Sequence, residues 1–184
     1  MATSRGPAAS PFVVSVRDLA RRPGSQLSIS RNTPAPEFFG TDVIGVPEGS
    51  DLTLELSLES ISEGIWVSGT VAARAVGECS RCLDEVSEDV LAPVQGLFAN
   101  PGAESAGEGD DVDVRDFDGD SLDLEELLRD AVVTSLPFVP LCSPDCPGLC
   151  DQCGARLADD PQHHHDEADP RWAALESLTE QKET

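Results

Sequence analysis

The sequence predicts an α+β fold, a small antiparallel β-sheet with a covering helix, followed by a cysteine-rich C-terminal segment. Three observations carry that reading. "DLTLELSLESI" sets Leu52, Leu54, Leu56 and Leu58 at alternate positions against polar neighbours, the period of a strand with one wet face. "SLDLEELLRDAVVTSLP" lines Leu124, Leu127, Leu128, Ala131, Val132 and Ser135 along one helical face, an apolar stripe that must be covered. "CSPDCPGLCDQC" places four of the six cysteines within twelve positions.

Taken in order, residues 1–11 are small, polar and proline-containing, the composition of a disordered N-terminus. An α+β domain then occupies residues 12–137. "FVVSVRDL" from Phe12 reads as a short strand, and Pro23 with Gly24 punctuates a turn. After the leucine strand, Glu63 and Gly64 turn the chain into "GIWVSGTVAARAVGECSRC", an antiparallel partner ending in Cys79 and Cys82. "SEDVLAPVQGLFAN" leaves that pair and runs back, so the two thiols lie near a hairpin end. Residues 100–120 form an acidic loop. Its "DVDVRDFDGD" resembles a calcium loop only superficially, because the closing bidentate glutamate and full spacing of an EF-hand are missing. The helix follows, with Ser121 as its N-cap, acids in its first turn at the positive end of the dipole, and Pro137 as its stop. Residues 138–158 are the cysteine-rich segment. Residues 159–184 are an acidic tail in which "RWAALESL" could form a short helix with Trp172, Leu175 and Leu178 on one side.

The formal net charge is -23, and it is unevenly spread: Met1 to Leu83 carries seven arginines against nine acids, while the rest carries five basic residues against 26 acids. Such a field opposes phosphate backbones and attracts basic partners or cations. The N-terminal stretch has neither a signal-peptide core nor, like the rest of the sequence, an apolar run of about 18 residues. A cytoplasmic location with no membrane partner is therefore expected, and there clustered thiols stay reduced and more often bind metal than form disulfides.

Zinc takes thiolates in tetrahedral sets, commonly two from each of two turns. Cys150 and Cys153, followed by Gly154, have the form of one such turn. Cys142 and Cys146 are the nearest second pair, held by a loop stiffened by Pro144 and Pro147. A local site of Cys142, Cys146, Cys150 and Cys153 is thus favoured, with Cys79 and Cys82 as the alternative second pair. The run His163, His164, His165 reads more simply as exposed surface than as ligands. "CSRC" also admits a redox reading, since Arg81 could lower a thiol pKa. It lacks the strand-then-helix setting of a thioredoxin-like site. No nucleophile elbow, phosphate loop, metalloprotease HExxH or dinucleotide fingerprint occurs, so no enzyme is expected.

The blocks "VSVRDLARRPGS", "GTVAARAVGECSRCLDEV", "LDLEELLRDAVVTSLPFVPLC", "CPGLCDQCGARL" and "DPRWAALESL", in that order, resemble the YceD family of large ribosomal RNA subunit accumulation proteins over roughly residues 12–180. The family's CxRC matches Cys79, Arg81 and Cys82, and its CxGLCxxCG matches Cys146, Gly148, Leu149, Cys150, Cys153 and Gly154. The resemblance implies a bacterial cytosolic protein that supports accumulation of 23S ribosomal RNA and large-subunit assembly. It carries over no catalytic residue. Sparse lysine beside abundant Arg, Ala, Gly and Asp suggests a high-GC genome such as an actinobacterium's.

Two modes of action are compatible with these features. The acidic half could engage a basic large-subunit ribosomal protein or a pre-ribosomal particle. Alternatively, Arg17, Arg21, Arg22, Arg31, Arg74 and Arg81 could contact 23S ribosomal RNA directly. The charge balance favours the first.

Overall fold

The computed structural model describes residues 10–100, 114–117 and 119–165. Two compact units divide at Cys142 and Ser143.

In the first unit, β1 (Val13–Ser15) leads through α1 (Arg17–Ala20) to β2 (Gln26–Pro34), β3 (Phe39–Gly40), β4 (Ile44–Val46), β5 (Asp51–Ser60), β6 (Gly64–Glu78) and β7 (Glu85–Ala99). β8 (Val114–Asp116), β9 (Ser121–Asp123) and α2 (Glu125–Ser135) follow. β6 is the central strand of a seven-stranded sheet, pairing with β5, with β4 and, along its whole length, with β7. Every pairing in that sheet is antiparallel except β7 with β8. β1 and β9 form a separate two-stranded ribbon.

The leucine alternation of β5 is realised directly: Leu52, Leu54, Leu56 and Leu58 are buried, with exposed or half-buried residues between them. α2 packs against β7, β6 and β3, and Leu127, Leu128, Val132 and Leu136 bury its apolar stripe. Burying such a side chain contributes about 1.5–3 kcal/mol. β5 and β6 approach closely at Gly69, where φ is +147° and a Cβ would stand 2.1 Å from the Glu55 carbonyl oxygen. Only glycine fits there. Arg115, on β8, is tied to α2 by ion pairs at 2.7 Å to both Glu126 and Asp130. Arg129 stacks over Phe39 and pairs with Glu37 and Glu125.

Several elements differ from the sequence reading. Ser121 does not cap the helix: it belongs to β9, and the Glu125 N–H is instead accepted by Asp123 Oδ1 at 3.0 Å. Ser135 is exposed, its hydroxyl donating to the Ala131 carbonyl. The strand expected from Phe12 is only three residues long, because Val16 starts the turn into α1. β2 carries only a brief alternation, Leu27 and Ile29 against serines, which the sequence reading does not assign as a strand. It is an edge strand with Thr33 buried and Ile29 packed half-buried against the core, and its pairing with β5 adds side-chain hydrogen bonds, Gln26 to Ser57 and Ser30 to Glu55, to the backbone ladder. Most of the acidic loop and the helix expected at "RWAALESL" lie outside the described residues; within the loop, Val114–Asp116 is strand. Among the described residues, no helix is long and apolar enough to cross a membrane.

Leu54→Ala should destabilise the first unit by about 2–5 kcal/mol through lost burial and a cavity. Leu91→Ala, at a side chain 68% exposed, should change stability by no more than about 0.5 kcal/mol. Urea midpoints of the two variants check this contrast.

Candidate metal centres

The tip of the β6–β7 hairpin is a tight loop. The Cys79 N–H donates to the Asp84 carbonyl at 2.7 Å, and the Leu83 N–H donates to the Cys79 carbonyl at 2.9 Å. Leu83 adopts φ 63°, a left-handed conformation unusual for a branched apolar residue. The stretch after α2 returns to this loop, where the Ser80 N–H donates to the Pro140 carbonyl at 2.9 Å. That contact carries Cys142 to the hairpin tip.

Three thiols meet there. The Sγ atoms of Cys79, Cys82 and Cys142 lie within 4.8 Å of one another, and Cys82 and Cys142 are 3.5 Å apart. That separation far exceeds a disulfide bond, and none of the three is in a disulfide. Cys79 and Cys82 are buried and Cys142 is exposed. The Cys79 pKa is lowered to about 6, chiefly by a hydrogen bond from the Cys142 backbone and further by those from Arg81 and Cys82, against the opposing effect of burial. Amide hydrogen bonds aimed at sulfur stabilise the thiolate, the form that binds metal.

The second unit holds a different group. Cys150 and Cys153 lie on a knuckle in which the Gly154 N–H donates to the Cys150 carbonyl at 2.9 Å and the Cys150 N–H to the Ala155 carbonyl at 2.8 Å. Gly154 has φ +72°, which lets the chain reverse without a Cβ clash. A bridge between Leu149 and Arg156 closes the knuckle as a minimal hairpin. The chain then brings back His163 and His165. The donor atoms of Cys150, Cys153, His163 and His165 all lie within 4.8 Å of one another. The Cys150 pKa is lowered, first by a backbone hydrogen bond from Cys153 and then by one from Gln152.

The cysteines are therefore sorted differently from the local four-cysteine set. Cys142 is gathered with Cys79 and Cys82, whereas Cys150 and Cys153 are gathered with two histidines. Loop length alone favoured the neighbouring pair, but the Ser80 to Pro140 contact is tertiary and has no local signature. Cys146 is buried, its N–H donating to the Ser143 carbonyl at 3.1 Å. The histidines read as plain surface belong to the second group. The signal was present in the sequence: alternate histidines His163 and His165 follow ten residues after the knuckle.

The six candidate arginines are distributed, not clustered into one described site. Arg17 pairs with Asp120 at 2.9 Å, Arg31 donates to the Pro11 carbonyl, and Arg74 donates to Ser87 and Asp89. Arg21, Arg22 and Arg81 are exposed. A cleft of about 920 Å³ is lined by Arg115, Arg129, Glu126 and Asp130 among others, whose charges are largely engaged within the chain.

A long-hairpin sheet that gathers thiols at its tip, followed by a small cysteine and histidine unit, defines a protein with two groups of side chains able to hold metal. The family model described as "Large ribosomal RNA subunit accumulation protein YceD" matches residues 67–179, and the chain belongs to the YceD family. An uncharacterized protein of Mycobacterium tuberculosis (strain ATCC 25618 / H37Rv) is 43% identical over 180 residues, covering 95% of this chain and 87% of the relative. An uncharacterized protein of Mycobacterium leprae (strain TN) is 39% identical over 170 residues, covering 92% and 78%. No solved structure gives a significant match.

Leu83→Gly should raise stability by up to about 1 kcal/mol, since relief of left-handed strain exceeds the added chain entropy. The side chain is 62% exposed, so little burial is lost. A urea midpoint at or below that of the native chain would refute strain at this loop.

Proposed function

We propose that this protein is a non-enzymatic cytoplasmic factor that promotes accumulation of 23S ribosomal RNA and large-subunit biogenesis by binding a basic ribosomal protein or a pre-ribosomal particle. Membership of the YceD family is the observation that carries the reading. The match spans the β6–β7 hairpin from Val67 onward, α2 and both cysteine groups.

The surface beside the hairpin tip supports a basic partner. A groove of about 440 Å³ runs between the start of β7 and residues 137–142, lined by Glu85, Val86, Ser87, Glu88, Val139 and Leu141 among others. Glu85 and Glu88 are exposed, and Val139, 60% exposed, offers apolar contact. Carboxylates flanking an apolar strip suit an extended segment rich in arginine or lysine. Zinc is the cofactor we assign to the hairpin tip, with Cys79, Cys82 and Cys142 as thiolate ligands. The metal's role is structural, fixing the tip so that the groove keeps its shape.

The reading in which the arginines contact RNA is weaker, because Arg17, Arg31 and Arg74 already have partners within the chain. The redox reading of Cys79 and Cys82 is weaker too. Cys79 is buried, which limits attack on a substrate disulfide.

The test is affinity capture of the tagged chain from growing cells with and without RNase, reading RNA and protein. A basic large-subunit protein should remain bound after RNase. Glu85→Lys with Glu88→Lys should reduce its capture at least about tenfold, as expected when a complementary charged rim is inverted. If every partner leaves with RNase and 23S precursor dominates the untreated sample, the chain binds RNA or an RNA-dependent particle, and the reading in which it holds a basic protein by itself falls.

A further inference from the structure

The described part of the second unit, residues 143–165, poses a stability problem that its own side chains do not solve. Among its described residues, Cys146 is the only buried hydrophobic side chain, and Leu149 and Leu157 are only half-buried. A segment this short with almost no apolar core does not hold a fold unaided; disulfides or metals ordinarily supply the missing free energy. None of its cysteines is in a disulfide, and a metal is the remaining staple of that kind.

The side-chain geometry fits that need. His163 Nε2 and His165 Nε2 are 3.0 Å apart, and they lie 3.2 and 3.3 Å from Cys153 Sγ. Hydrogen bonds do not satisfy such a triangle. A ring nitrogen has one in-plane direction, either N–H or lone pair, and cannot serve two neighbours at once. One ion between the atoms does satisfy it. With zinc–nitrogen bonds of about 2.0–2.1 Å and zinc–sulfur bonds of about 2.3 Å, tetrahedral donors stand roughly 3.3–3.8 Å apart, slightly wider than the spacings seen here.

We infer that Cys150, Cys153, His163 and His165 form a zinc site of their own, separate from the hairpin-tip thiols, and that this site is what folds the second unit. Two thiolates and two neutral imidazoles make a neutral complex with a divalent zinc ion. Neutralisation matters here, because Asp151 adds another negative charge, with its Oδ1 3.9 Å from Cys150 Sγ. His164 lies outside this group of donors, and its Nδ1 is 2.9 Å from the Gln162 carbonyl oxygen. Metal binding and folding of this unit are then one equilibrium. The inference stands independently of the ribosomal role and of the hairpin-tip zinc.

The experiment uses the full chain and measures zinc content by elemental mass spectrometry, the absorption of the cobalt-substituted protein, and amide exchange. His163→Ala with His165→Ala should lower zinc by about one ion per chain and remove protection within residues 143–165, while leaving protection of β5, β6 and β7 unchanged. His163→Cys with His165→Cys should retain the ion and strengthen the cobalt–thiolate charge-transfer band. Zinc content unaffected by the double alanine variant would overturn the inference. So would a cobalt spectrum identical in the native and double cysteine proteins.

Discussion

The fold depends on the antiparallel pairing of β6 and β7. The ladder runs without interruption from Gly64 opposite Ala99 to Glu78 opposite Glu85. It supplies the surface on which α2 packs and the strand to which β5 and β4 add. It also fixes how far the Cys79 to Asp84 loop projects from the core. A long hairpin is a means of holding a small loop in a defined place, because register set along the ladder is inherited by its end.

The end of that ladder carries local costs. Glu78 faces Glu85 across the strands, a like-charge pair worth roughly 0.2–1 kcal/mol of destabilisation, and Leu83 takes a left-handed backbone. Neither favours the loop by itself. What favours it is the closure by the Cys79 and Leu83 amides, the docking of Ser80 on Pro140, and the amide environment that holds Cys79 toward thiolate. A loop held against local preference by tertiary contacts is a common mark of a functional position.

The two cysteine groups differ in chemical character. At the hairpin tip the candidate donors are thiols, two of them buried. In the second unit the donors are mixed sulfur and nitrogen, half-buried or exposed, in a segment with little else to order it. Metal at the first would reinforce a sheet that already has a core. Metal at the second would substitute for a core, so the two sites make different demands on zinc supply.

The sequence by itself determined the elements whose signal is local: the alternating leucines of β5, the hairpin that follows Gly64, the stripe of α2 and the knuckle at Cys150 and Cys153. It also carried the ordered blocks by which the family is recognised. Periodicity and glycine placement are properties of neighbouring residues, so they are legible without a structure. Only the tertiary structure decided that polar β2 is a strand, since its hydrogen-bonding partner β5 lies elsewhere in the chain. It also moved Ser121 from helix cap to strand, and it parted Cys142 from Cys150 and Cys153. The reason is common to all three: each outcome is set by a partner distant in sequence, and neither spacing nor propensity encodes which distant partner a residue will meet.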